Sequence, residues 1–94
     1  MLSQIPVDFT KVKKENLNKE ILRMAIIAEL DAINLYEQMA ALADDPDIKK
    51  VLLDIAREEK THAGEFETML LRWDAEQVKE HEQAKKEIKE LTGK

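Results

Sequence analysis

Glu59 and His62, three residues apart, and Glu29, thirty positions earlier, are the side chains of this sequence best suited to hold a cation. A carboxylate and an imidazole at i and i+3 project from one face of an α-helix. Glu-x-x-His is also the unit that carboxylate-bridged di-metal sites take from the helices of a bundle. The motif alone says little, because 13 glutamates among 94 residues make a Glu three before one of the 2 histidines an ordinary coincidence. Its weight comes from where these residues fall in the hydrophobic pattern.

Steps of three and four from Leu22 pass through Ala25, Glu29, Ala32, Tyr36, Met39 and Ala43, the period of a helix face that meets other helices. The same walk from Ile48 passes through Leu52, Ile55, Glu59, His62, Phe66, Met69 and Trp73. Each stripe is apolar at its ends and polar in its middle. Between them, Asp44-Asp45-Pro46 places turn-forming acids before a proline suited to the first turn of a new helix. The spacing therefore predicts an all-α chain, an antiparallel hairpin of two helices over residues 17–73, from about Ile21 to Ala43 and from Pro46 to Arg72. Asn16 or Asn18 is expected to cap the first of these. Residues 1–16, with Pro6 and Asp8 and no sustained period, are expected to form an extended arm. Residues 74–94 are expected to form an accessory helix from Ala75 to about Leu91, capped by Asp74, and a short tail.

Measured from Asp45, Glu29 lies 16 residues back, and Glu59 and His62 lie 14 and 17 residues forward. At about 1.5 Å rise per residue, a hairpin brings all three to within a turn of one level. Two carboxylates and an imidazole in an apolar layer need protons, partners or cations, since an unpaired buried carboxylate costs several kcal/mol. A bundle di-metal site uses four glutamates and two histidines, and one hairpin offers half of that set. A second copy related by a two-fold axis is expected to supply the rest, with the glutamates bridging and each histidine terminal. Pairing with a copy also suits a chain this short, which leaves apolar surface uncovered on its own.

Tyr36, two turns from Glu29 on the same stripe, is a candidate for orienting a ligating carboxylate, and a core aromatic otherwise. Asp31, Glu58 and Glu65 lie near the layer but off the stripe, as ordinary surface acids or guides for a cation. His81 reads as a surface histidine of the accessory helix, Met24, Met39 and Met69 as packing residues, and Trp73 as a core or interface anchor.

Composition narrows the classes further. With 2 Gly, 2 Pro, 44% hydrophobic and 37% charged residues, the balance favours long amphipathic helices over strands. Zero Cys excludes disulfides, Cys-ligated zinc, iron-sulfur clusters and a rubredoxin-type electron relay on this chain, and fits a reducing cytosol. A net charge of -5 argues against phosphate-backbone binding, so no nucleic-acid partner is expected. No stretch approaches the roughly 18 apolar residues of a membrane span, and the first 14 residues lack a long apolar core, so neither membrane nor leader is expected.

From Ile26 to Asp74 the chain resembles the encapsulated ferritins, a branch of the ferritin-like superfamily built on a two-helix hairpin with a shorter third helix. The resemblance rests on Ala28-Glu29-Leu30-Asp31-Ala32-Ile33-Asn34-Leu35-Tyr36 and on Arg57-Glu58-Glu59-Lys60-Thr61-His62. It implies that Glu29, Glu59 and His62 are the ligands of a ferroxidase centre, that Tyr36 stands beside them, and that two irons lie at each dimer interface. It further implies a ring of dimers that oxidises Fe²⁺ inside a cytoplasmic encapsulin nanocompartment. Leu35 and Ala28 stand where some relatives have Trp and Glu, so the resemblance does not carry over a second metal site at the ring's entrance, for which Asp31 is the only matching acid left. The Gly-rich tail and apolar peptide by which stand-alone members bind the shell are not found. The resemblance therefore implies attachment by fusion to the shell protein, with Glu87 to Gly93 similar to the start of that connection. Two other readings remain: a rubrerythrin-like di-iron peroxide scavenger, whose usual relay needs cysteines, and a non-enzymatic helical dimerisation module whose polar stripe residues fix register.

Overall fold

The computed structural model describes residues 8–94, so residues 1–7 of the expected arm lie outside the described residues. Short 3₁₀ turns at Phe9–Lys11 and Lys14–Asn16 lead into three helices: α1, Leu17–Leu42, α2, Pro46–Trp73, and α3, Ala75–Thr92. No strand occurs among the described residues, so the chain is all-α as its periodicity predicts. None of these helices is long and apolar enough to cross a membrane.

The boundaries follow local chemistry. Asp45 has an extended backbone and its side chain accepts a hydrogen bond from the Ile48 N–H at 3.0 Å, while Pro46 fills the first helical position, where no N–H is missed. α1 therefore stops at Leu42, and a connection of three residues folds α2 back along it. At the start of α1 the expectation differs from the outcome: Asn16 occupies the cap position but forms no side-chain cap. The preceding 3₁₀ turn already has helical backbone at Asn16, so the extended conformation that a capping side chain needs does not arise. α3 ends at Gly93, whose φ of 76° places it in the left-handed region that glycine enters without strain, and its N–H closes the helix onto the Lys89 carbonyl at 2.8 Å.

Packing inside the hairpin runs through Ile33 and Ala40 of α1 and Ala56 and Leu70 of α2, the buried apolar residues of the described chain. These lie at heptad spacings, and the alanines near the connection let the two helices approach closely. The expected stripe is rotated from this seam. Ile33 follows Glu29 by four residues, about 40° around the helix, and the stripe from Leu22 to Trp73 runs along the edge of the hairpin interface, part covered and part open. Ile48, Met69 and Trp73 on that stripe are exposed.

One two-helix layer cannot cover both of its faces. The radius of gyration is 16.8 Å, where a compact domain of this length has about 12 Å. The accessible surface is 7515 Å², against about 5,600 Å² for a compact monomer of this mass. α3 contributes to both excesses, since none of its residues is buried.

α3 is joined to the hairpin by Asp74, which is 5% exposed. Its Oδ1 accepts from the Gln77 N–H at 3.0 Å, capping α3, and its Oδ2 accepts from the Arg23 guanidinium of α1 at 2.6 Å. The backbone hydrogen bond from Gln77, and then Arg23, hold the carboxyl below the usual carboxylate range, with burial opposing them. A depressed carboxyl pKa stabilises the fold above its unfolded value and ceases to do so as pH falls through the lowered native one. Asp74→Asn is expected to retain the cap but lose the ion pair and flatten the acid limb of the stability curve, whereas Asp74→Ala lowers the midpoint at neutral pH by roughly 5 °C. Thermal unfolding followed by far-UV circular dichroism at pH 7 and pH 3 measures both effects.

Candidate metal centre

Glu29 stands in the middle of α1 and Glu59 and His62 in the middle of α2, each one step round from the packed seam. Their backbones are fixed by the hairpin while their side chains reach the interface edge. The two carboxylate side chains are 20% and 19% exposed and the imidazole 47%. His62 Nδ1 lies 3.6 Å from Glu59 Oε2 and 3.9 Å from Glu29 Oε2, and one ligand atom from each of the three residues lies within 4.8 Å of the others.

Both separations are longer than a hydrogen bond. Donors around one ion at about 2.1 Å from each sit roughly 3–3.5 Å apart, so a cation between these groups requires a contraction of some tenths of an ångström up to about 1.5 Å. Glu29 Oε2 carries the sharper message. It is shielded from water and has no hydrogen-bond partner, a state that stands only with a proton or a cation beside it. Two hard carboxylate oxygens and one imidazole nitrogen suit iron, manganese or zinc, and offer no soft ligand that would select copper(I).

The expected residues are distributed as follows. Glu29, Glu59 and His62 come together. Tyr36 is half-buried two turns along α1, and Asp31, also half-buried, stands about 200° around α1 from Glu29. Glu58 and Glu65 are exposed on α2 and outside the cluster. His81 lies on α3, facing the groove between the helices. An ion pair that periodicity does not reveal crosses the hairpin beside the ligands: Lys60 Nζ to Glu37 Oε2 at 3.1 Å, linking the chain neighbours of Glu59 and Tyr36. Both groups are exposed, so its contribution to stability is small and its effect is on register.

Glu29→Gln removes the charge of the unpartnered oxygen at almost constant volume. The metal-free protein is then expected to gain roughly 1–2 kcal/mol, and the rise in melting temperature on adding Fe²⁺ or Mn²⁺ under argon is expected to vanish. Scanning calorimetry of the wild type and the variant, with and without metal, gives both numbers.

Comparison with known proteins adds a separate line. The rubrerythrin family model matches residues 20–93. The ferritin-like-encapsulin shell fusion protein of Pyrococcus furiosus is 62% identical over 80 residues, 85% of this chain and 23% of that protein. The encapsulin nanocompartment cargo protein EncC of Myxococcus xanthus is 37% identical over 71 residues, 76% of this chain and 55% of that protein. The chain thus spans about a quarter and about half the length of these two relatives. Among solved structures, the encapsulated ferritin domain from Pyrococcus furiosus superposes with a TM-score of 0.84 at 53% identity, covering 100% of this chain and 98% of that one.

Proposed function

We infer the function from one premise: the chain belongs to the rubrerythrin family of ferritin-like proteins and, within it, to the encapsulated ferritins. On that premise the chain is a ferroxidase whose centre is completed by a second copy, oxidising Fe²⁺ to Fe³⁺ for storage in an encapsulin compartment. The observation that carries this reading is the buried, unpartnered Glu29 Oε2 beside Glu59 and His62, on a face whose apolar flanks are left uncovered.

Two copies meeting across that face bring together four glutamates and two histidines, the donor set of a di-metal bundle site. Glu29 and Glu59 would hold the Fe²⁺ ions, with His62, whose Nδ1 faces both acids, as the nitrogen donor. Fe²⁺ is the substrate and gives up its electrons to O₂. The negative charge of the carboxylates favours the ferric product, while the apolar flanks keep bulk water from the ligands. Tyr36 is assigned the task of orienting a ligating carboxylate. Asp31 is assigned the accessory role of passing cations toward the centre, an effect of charge that needs no direct ligation.

Association supplies the apolar burial that the hairpin lacks. Met69 and Trp73 continue the ligand stripe along α2, with Trp73 50% exposed. Large aromatics of this kind carry most of the energy of an interface. The relatives' names connect them to encapsulins, one as a fusion with the shell protein and one as cargo. We extend that association to this chain. A peroxide scavenger remains the second reading, supported by the rubrerythrin model match, and differs in the oxidant it uses.

Two experiments test the reading. Anaerobic Fe²⁺ titration followed by native mass spectrometry is expected to give two irons per dimer. Admitting air then oxidises them rapidly, whereas adding peroxide under argon does so no faster; preferential use of peroxide favours the scavenger, and no iron uptake leaves a dimerisation module. In the second, Trp73→Ala leaves every ligand in place and is expected to weaken association by roughly 2 kcal/mol, about thirtyfold. Iron uptake at micromolar protein falls with it, as sedimentation equilibrium and iron titration on the same samples show.

A further inference from the structure

Between Asp47 and Thr92 the sequence holds one glycine, Gly64, and no proline. Around the end of α2 it reads Leu70-Leu71-Arg72-Trp73-Asp74-Ala75-Glu76-Gln77-Val78, in which Leu, Arg, Ala, Glu and Gln are good helix formers. No residue of this stretch breaks a helix through its backbone alone. Yet α2 ends at Trp73 and α3 starts at Ala75, with Asp74 at φ -126° and ψ 87°, outside the helical region. Gln77 and His81 of α3 share a groove with Ala63 and Glu67 of α2, so α3 doubles back over α2 instead of running on from it.

The bend is confined to one residue. The Asp74 N–H donates to the Leu70 carbonyl at 3.0 Å and the Asp74 carbonyl accepts from the Val78 N–H at 3.2 Å, so the helical ladder runs up to Asp74 and resumes from it. A continuous helix makes three more bonds here, from the N–H groups of Ala75, Glu76 and Gln77 to the carbonyls of Leu71, Arg72 and Trp73. In their place the Asp74 side chain supplies two: Oδ1 accepts from the Gln77 N–H, and Oδ2 accepts from the half-exposed Arg23 of α1. Apolar burial holds α3 only weakly, since none of its residues is buried and Val78, Ile88 and Leu91 are exposed. Two arrangements that differ by a few hydrogen bonds and little apolar area lie close in free energy.

We propose that Asp74 is the hinge of a two-state arm, in which α2 and α3 exchange between this bent arrangement and one helix from Pro46 to Thr92, and the Arg23–Asp74 pair holds the bend. The single helix is about 70 Å long, against a longest extent of 46 Å for the bent chain. It lifts α3 off the hairpin and carries it beyond Trp73. The proposal is independent of the ferroxidase reading.

Because the chain has no cysteine, spin labels introduced through Lys50→Cys on α2 and Glu90→Cys on α3, both at exposed positions, measure the bend. Double electron–electron resonance on the full chain, diluted with unlabelled protein, reads the distance within one molecule. The single helix separates the two sites by about 60 Å, and the bent wild type gives a shorter distance. Asp74→Ala deletes both side-chain acceptors and is expected to move about one molecule in three or more to the long distance, with helical circular dichroism undiminished. Adding Ala75→Pro to it, a residue suited to the first position of α3 but unable to continue α2, is expected to restore the short distance. Arg23→Gln removes the ion pair and keeps the cap; it is expected to show the long distance at lower occupancy, and it serves if Asp74→Ala does not fold. A short distance retained in both single variants overturns the proposal, because the bend then stands without the Asp74 side chain. A broad distribution with lost helicity overturns it too, since α3 then frays instead of joining α2.

Discussion

A carboxylate oxygen that is out of water and without a hydrogen bond is the constraint on which the rest of this structure turns. The backbone that carries Glu29 is fixed in place, because α1 is held against α2 by Ile33 and Ala40 on the adjacent face of the helix. On α1 the seam that packs the hairpin and the stripe that carries Glu29 are about 40° apart. That offset puts the acids deep enough to be desolvated on one side and open enough to receive a cation and a partner on the other. Had Glu29 and Glu59 stood on the packed seam itself, they would have separated the helices. On the outer faces they would have been ordinary solvated acids.

Much of this was legible from the residues, and the reason is locality. Asp45-Pro46 and Asp74 mark helix starts through bonds to residues three positions on, which any reading of the chain can anticipate. The grouping of Glu29, Glu59 and His62 was legible because polar residues in the middle of an apolar stripe are conspicuous, and because a hairpin equates distances from its turn. Which of two neighbouring stripes the helices pack on was not legible. Ile33, Ala40, Ala56 and Leu70 became the buried seam through the crossing of two helices, and a periodic pattern broad enough to serve both an internal seam and an external interface does not reveal which residues serve which.

The pairings across the chain were hidden for a related reason. Arg23 and Asp74 are 51 residues apart, and Glu37 and Lys60 are 23 apart. Each is a charged residue on a highly charged helix, with no feature of type or spacing to single it out. The absent cap at Asn16 shows the converse failure, in which a residue of suitable type did not act because the backbone before it had already begun to turn. The groove where α3 meets the hairpin needed α3 in place before it existed, since Gln77 and His81 line it.

Asp74 thereby acts as a one-residue elbow for a long lever. α3 runs for 18 residues, about 27 Å, and one residue braces its near end, the Asp74 side chain accepting from Arg23 of α1 and its N–H donating to the Leu70 carbonyl of α2. A change of ten degrees at that elbow sweeps the distal tip through about 5 Å.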